Sequence, residues 1–363
     1  MASTKWSRNN TALCRTIRAG YIAKFSTSSL SQANRAVVYK STGDPSTVLS
    51  VLTFPSLPPP ESHSVNIRFL LSPINPADIN VVEGVYPAKP VHNHSLGGRA
   101  LNEPVFVGGN EGLAEVTAIG SVVKDIQIGD RVIMATPQLG TWASARSVAA
   151  GDVIKAPAGV SRVHSATLTV GQTVIQIAKL KGLNTLNFVR HRDDVESLKS
   201  HLVDLGATQV LTYDELEDKS IRDRVKQWTG GKQIQLMLNC VSGPSTTAMI
   251  RLLGKDAHVV SYGAMSKKPL SIPTSAFIFK NLTCHGFWQS RWYEQKTRVE
   301  REEMLRKLAD IMGNLREPEH EIQTIPAGES DVDATTRIQG IIKKIAGGQY
   351  GKKVLLEMEE PTD

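Results

Sequence analysis

Three basic residues in a row, Arg190, His191 and Arg192, follow the short apolar run Leu186 to Val189. If that run is a strand of a parallel sheet, its carboxyl end is where such sheets bind ligands. An NAD-binding domain usually places an acidic residue there, against the ribose 2′-hydroxyl. Arginines instead match a 2′-phosphate, because guanidinium pairs with phosphate through several charge-assisted hydrogen bonds. A solvated loop would carry the same residues, so the tip alone leaves both readings open. Tyr262-Gly263-Ala264-Met265 ends a later apolar run, where the glycine lets backbone approach a cofactor; a simple turn would look the same. Tyr86 sits on a loop between Gly84 and Pro87. A phenol there can donate a proton to a developing oxyanion or carbanion, although a lone loop tyrosine is more often merely packed.

The elements that must position these groups fall into two kinds. From Arg35 to about residue 165 the chain reads as short strands with turn signals every ten residues or so, including Ser64 to Ser72, Leu113 to Ile119 and Val132 to Ala135. This is the pattern of a β-rich, barrel-like domain. From Gly171 the rhythm changes to alternating helix and strand, which implies a parallel sheet with right-handed crossovers. Its helices are expected from Gly171 (Val174, Ile177 and Ala178 on one face, Gly182 as stop), from Asp193 (an N-cap with Glu196 at capping-box spacing), over Ile221 to Trp228 and over Pro244 to Leu253. Its strands are expected at Thr185 to Val189, Gln209 to Tyr213, Ile234 to Val241 and His258 to Tyr262. The nearly continuous apolar run Ile234 to Val241 calls for cover on both sheet faces. A charged helix from about Arg298 to Met312 and a last strand, Lys353 to Glu357, return to the β-rich domain. The implied organisation is 36–165 with 300–363 as the β-rich domain and 166–299 as an inserted α/β domain.

Composition narrows the class. The 363 residues are 40% hydrophobic and 21% charged, as in ordinary globular proteins, and no apolar run is long enough for a membrane-spanning helix. The net charge of +7 does not call for a nucleic-acid partner, because much of it sits in residues 1–35, which hold Lys5, Arg8, Arg15, Arg18, Lys24 and Arg35 and no acid. That Arg-, Ser- and Thr-rich, acid-free stretch has the composition of a mitochondrial presequence. Cys14, Cys240 and Cys284 make neither a disulfide framework nor a zinc set, and the latter two are expected as buried thiols. Gly347 to Lys353 lacks the first glycine and the Ser/Thr of a phosphate loop, His92 and His94 have no third ligand nearby, and Arg298 to Arg306 reads as an exposed helix face.

Together these stretches resemble a family. SPINPADINVVEGVYPAKP (72–90), VGGNEG (107–112), LGTW (139–142), FVRHRDD (188–194), LNCVSG (238–243), YGAM (262–265) and GFWQSRW (286–292) are similar to the mitochondrial 2-enoyl thioester reductases. These are zinc-free members of the medium-chain dehydrogenase/reductase superfamily. Consistent with that branch, Asn110 stands where the Gly-His-Glu of zinc alcohol dehydrogenases carries histidine. The resemblance implies an α/β fold, a GroES-like β-rich catalytic domain plus a Rossmann-type nucleotide-binding domain. It implies NADPH-dependent reduction of trans-2-enoyl thioesters of acyl-carrier protein or coenzyme A, in mitochondrial fatty-acid synthesis in the matrix, by a homodimer. It also implies Tyr86 as the catalytic tyrosine; Arg190, His191 and Arg192 as the 2′-phosphate tip; Tyr262, Gly263, Ala264, Met265, Phe287, Trp288, Gln289 and Ser290 on the nicotinamide side; and Lys353 as a C-terminal cofactor contact.

One departure is large. In the family, the stretch matching Leu168-Thr169-Val170 continues through a helix, the first Rossmann strand and the glycine-rich loop before reaching the match to Gly171. Here Val170 joins Gly171 directly, a gap of roughly thirty residues, about one supersecondary unit. The expected consequence is a sheet without a central strand and a cofactor site without its pyrophosphate cradle, as a skipped exon or faulty gene prediction would produce. Two rival functions follow: a zinc-free quinone reductase of the same superfamily, and a non-catalytic dehydrogenase-like remnant that acts through partners.

Overall fold

A computed structural model describes residues 33–361. The presequence expectation lies outside them, apart from its last three residues, which belong to the fold. Ala33, Asn34 and Arg35 open the strand Ala33–Tyr39. Arg35 is 4% exposed; its amide donates to Ser144 Oγ at 2.9 Å and its guanidinium to the carbonyls of Pro326 (2.8 Å) and Glu329. A guanidinium so buried and bonded is structural, so Ala33 to Arg35 pack with the β-rich part.

The β-rich part forms two sheets. A four-stranded one runs Ser50–Pro55, Ala33–Tyr39, Arg99–Val107, Asn93–Leu96, and a seven-stranded one is centred on Ser64–Pro73. Ser64–Pro73 pairs antiparallel with Leu113–Ile119, with Ala145–Ala149 and, at its far end, with Lys353–Met358. The C-terminal segment thus closes the sheet begun by the N-terminal one. Alternation puts Val65, Ile67 and Phe69 into a core with Val116 and Val132. Trp142 is fully buried beneath the helix Asp331–Ala346, its indole donating to the Pro73 carbonyl at 3.0 Å. Helix α1 (Pro76–Val82) leaves the end of Ser64–Pro73, started by a proline whose missing N–H costs nothing at that position.

The α/β part has the expected alternation: α2 (Val170–Leu180), β1 (Leu186–Val189), α3 (Val195–Leu205), β2 (Gln209–Thr212), α4 (Ile221–Trp228), β3 (Ile234–Asn239), α5 (Gly243–Ile250), β4 (Leu253–Ser261), α6 (Thr274–Lys280) and β5 (Thr283–Gly286). Every pairing is parallel. The sheet, however, is in two pieces: β1 pairs only with β2, and β3 only with β4, which pairs with β5. A doubly wound sheet places one more strand between these two pieces, and that is the strand the sequence lacks.

The break corrects one expectation directly. The apolar run in β3 is not covered on both faces: Met237 packs into the core, but Leu236 is 56% and Leu238 39% exposed. Without a neighbouring strand, the helices that would lie across that face have nothing to bridge. Smaller corrections have local causes. The N-cap of α3 is Asp194, one residue late, and its side chain makes no capping bond, so the Asp193–Glu196 box does not form. In α2 the buried positions are Ile175, Gln176 and Ala178, with Val174 and Ile177 only half-buried, because the helix turns Gln176 toward Arg316. Gln176 exchanges bonds with the Arg316 backbone at 2.7 and 3.2 Å. Cys284 is exposed, since β5 is a bare edge strand, and Cys240, just past the end of β3, is half-buried. The helix Arg298–Met312 buries no residue, yet Arg298 and Arg301 donate to the Val153 and Ala135 carbonyls at 2.8 Å, which ties it to the β-rich part.

Candidate active site

Tyr86 is carried just beyond α1. The helix ends with Glu83 and Gly84 (φ +80°), a backbone sign that glycine adopts without strain. The amides of Val85 and Tyr86 both donate to the Asn80 carbonyl, at 3.0 and 3.1 Å, which folds the loop back against the helix. Over the tyrosine lies Trp288: its indole N–H donates to the phenol oxygen at 3.0 Å, with the rings edge to face at 6.4 Å. An oxygen that accepts from an indole keeps its own proton free to give elsewhere. Glu83, at the end of the same helix, meets Lys267 at 3.1 Å, just past the Tyr262–Met265 turn.

That turn is fastened across the strand ends. The amides of Tyr262 and Met265 donate to the carbonyls of Asn239 and Cys240, and Phe287 N–H to Ser261, all at 2.9 Å. Asn239 caps the end of β3: its Oδ1 accepts from the amides of Val241 and Ser242 and from Thr246 Oγ1, while its Nδ2 donates to Ser261. Burial pushes the phenols of Tyr262 and Tyr213 up, the Cys240 thiol adding to both. A Cβ on Gly263 would come within 3.1 Å of the Cys240 carbonyl, a tight contact that the glycine avoids. Trp288 thus brings the Phe287–Ser290 stretch onto Tyr86, while the Tyr262–Met265 turn is fastened to the same strand ends as Phe287.

The basic tip follows β1, and the Arg190 charge opposes the rise in the Tyr213 phenol. Arg190 and His191 are exposed after β1, and Arg192 Nε lies 2.9 Å from Asp194 Oδ1, a pair exposed enough to contribute little to stability. Its guanidinium also lies against Gly351. Lys353, on the last strand of the β-rich part, donates to Asn75 Oδ1. Burial holds its ammonium pKa below the usual range, opposed by the charges of Glu111 and Asp78.

Around Lys353 lies a polar network that the motifs did not announce. Asp78 is 1% exposed. Its Oδ2 accepts from the Asn75 amide at 2.8 Å and its Oδ1 from Asn110 Nδ2 at 2.9 Å. Asn110 Oδ1 in turn accepts from the Gln138 amide at 2.8 Å, and Asn75 Nδ2 donates to Glu111 at 2.9 Å. Burial pushes the Asp78 carboxyl up to about 7; the Glu111 charge works in the same direction, while the bonds from Asn75 and Asn110 and the Lys353 charge oppose it. Asn110 thus uses its whole amide on Asp78 and Gln138. Among the described residues no cluster of three His, Cys, Asp or Glu could hold a metal ion.

For a dinucleotide phosphate the donor set fits at its two ends and not in the middle. Arg190 and Arg192 suit a phosphate at one end, and the turn at Tyr262–Met265 suits a close backbone approach at the other. Between them α2 still offers an open amino terminus, with no side-chain cap and free space at Gly171. The glycine-rich turn that would lead into it is missing.

Comparison with known proteins agrees with this architecture. Residues 61–158 match the alcohol dehydrogenase GroES-like domain and residues 169–309 the zinc-binding dehydrogenase family. A mitochondrial enoyl-acyl-carrier-protein reductase of Yarrowia lipolytica is 35% identical over 96% of this chain and 100% of its own length. That alignment runs over 388 positions, more than the 363 residues of this chain, so the relative has residues within the matched span that this chain lacks. Among solved structures, the Etr1p complex with NADP and crotonyl-CoA superposes with a TM-score of 0.79 at 28% identity, over 89% of this chain and 99% of that one. The mitochondrial 2-enoyl thioester reductase Etr1p/Etr2p heterodimer from Candida tropicalis gives 0.78 at 29%, over the same shares. The chain belongs to the mitochondrial enoyl-acyl-carrier-protein reductases.

Proposed function

We propose that this chain is an NADPH-dependent reductase of trans-2-enoyl thioesters, carried by acyl-carrier protein or coenzyme A, in the mitochondrial matrix. The observation that carries the reading is the Tyr86 hydroxyl, held under Trp288 where the β-rich part meets the strand ends of the α/β part. When bound, NADPH supplies the hydride that reduces the β-carbon of the enoyl thioester. The chain's own residues do the rest. Tyr86 presents its proton to the α-carbon or to the thioester oxygen as negative charge develops there. Trp288, by donating to the phenol oxygen, directs that proton away from itself and into the site. Phe287, Gln289 and Ser290, with Tyr262, Gly263, Ala264 and Met265, border the nicotinamide; Arg190, His191 and Arg192 receive the 2′-phosphate. Lys353 acts through Asn75 and the network beneath α1. Residues 36–165 with 300–363 serve as the catalytic domain and 166–299 as the cofactor domain, and the chain works as a homodimer.

The broken sheet favours a second reading for this chain as written: weak cofactor binding, in the limit a non-catalytic remnant. Titrating NADPH fluorescence, then following NADPH oxidation with crotonyl-CoA and separately with a quinone, separates the possibilities. Saturable binding with thioester-dependent oxidation supports the reductase. Quinone turnover alone supports the quinone reductase, and absence of saturable binding supports the remnant.

A further inference from the structure

Asp78 is a buried carboxylate to which the reaction as derived gives no part, yet both of its oxygens are used. One takes the Asn75 amide and so fixes the first turn of α1; the other takes Asn110 and so ties that turn to the loop leading into Leu113–Ile119. The same helix, seven residues long, ends at the loop that returns to Asn80 and carries Tyr86. We propose that Asp78 is a positioning residue for Tyr86, holding α1 from its start so that the phenol at its other end stays in register with the Trp288 indole. This rests on the reading of Tyr86 as the proton donor only for its catalytic consequence; the positioning itself is a separate, structural claim.

The geometry supplies the lever. A two-turn helix is too short to bend, so a shift at Asn75 is passed to its far end. That end is held by Val82 in the core, by the Gly43 amide on the Val82 carbonyl and, weakly, by the exposed Glu83–Lys267 pair, so a shift at Asn75 acts against this packing and is expected to be small. The groups facing Asp78 are Glu111 and Asn110 from the Gly109 loop, Lys353 from the last strand, Asn75 from its own turn and Tyr39 from the first strand. Lys353 is the only cation among them. When Asp78 takes a proton, the oxygen that carries it becomes a donor and a poorer acceptor, so one of its two bonds weakens and the local geometry must adjust. The position of Tyr86 is then expected to depend on pH around neutrality.

The test reads the indole directly. In ¹⁵N–¹H spectra of the full chain, Y86F identifies the Trp288 indole signal by shifting it upfield as its acceptor is lost. The expected result is that D78N moves that signal toward the Y86F position, leaves Trp228 unmoved, and removes a pH-dependent shift centred near 7 that the wild type shows. A D78N spectrum with the Trp288 signal in place, or with the titration intact, overturns the proposal. Should D78N fail to fold, N110A releases the same carboxylate oxygen and is read in the same way. If Y86F turns over crotonyl-CoA as fast as wild type, the catalytic reading of Tyr86 fails while the indole result still decides the positioning.

Discussion

Two strands that ought to be alike define the difference between the halves of this molecule. Ser64–Pro73 lies inside its sheet with neighbours on both sides, and its inward residues are almost wholly buried. Ile234–Asn239 should be equally central but has one neighbour, and two of its leucines face outward. Fully burying a leucine contributes about 1.5–3 kcal/mol, and an unpaired edge leaves backbone groups without ladder partners. One half therefore has the closed ladders of a finished domain, and the other has the composition of a finished domain with one ladder open. Tyr86 and the polar network lie in the first; the residues proposed to meet the cofactor lie mostly in the second.

The comparison makes the sharpest demand on Tyr86, which belongs to the complete half. Y86F should lower kcat with crotonyl-CoA by about 10²–10⁴-fold, the range for a general acid, without weakening NADPH binding. Equal kcat would place the proton elsewhere. Stability should show the same asymmetry. W142A empties a fully buried site in the complete half and should cost about 3–5 kcal/mol in urea unfolding, whereas L236S, on the open face, should stay within about 0.5 kcal/mol. Similar costs would mean that the open face is covered in solution.

A smaller effect is expected at the basic tip. Replacing Arg190 alone with Gln should weaken NADPH binding by about tenfold to a hundredfold while leaving NADH nearly unchanged, since one charge-assisted bond contributes roughly 1.5–3 kcal/mol. Parallel loss for both cofactors would remove the tip from the 2′-phosphate. Stability should also depend on pH. Asp78 has a folded pKa of about 7, above its ordinary 3.8, so the folded state binds its proton more tightly than the unfolded chain does. Its contribution is therefore present below about pH 4, is lost as pH rises through 7, and is flat above. Subtracting D78N from wild-type unfolding curves between pH 4 and 8 should isolate that slope, and a slope of opposite sign would contradict the burial argument.

Much of this was legible in the chain. Alternating strands, the helix over Ile221–Trp228, Gly182 as a left-handed stop and the junction at Val170-Gly171 all rest on local spacing, which sequence displays. The Asp78 network does not: Lys353 lies 278 residues from Asn75, and Asn110 lies 32 from Asp78. Only folding brings them together. Asn110 drew notice as a replaced histidine, but nothing nearby in sequence says that its amide is committed to a buried acid. Likewise the exposure of Leu236 and Leu238 is invisible in an apolar run, because it depends on a neighbour supplied by another segment.

We infer that the catalytic half is complete and that the missing segment limits cofactor binding. The dissociation constant for NADPH should be measured for this chain and for the same chain with the family's missing segment inserted between Val170 and Gly171. Binding as written should be saturable but weak, and at least tenfold tighter, with a raised Tm, once the strand and glycine-rich loop are restored. Equal dissociation constants in the two chains would overturn that inference.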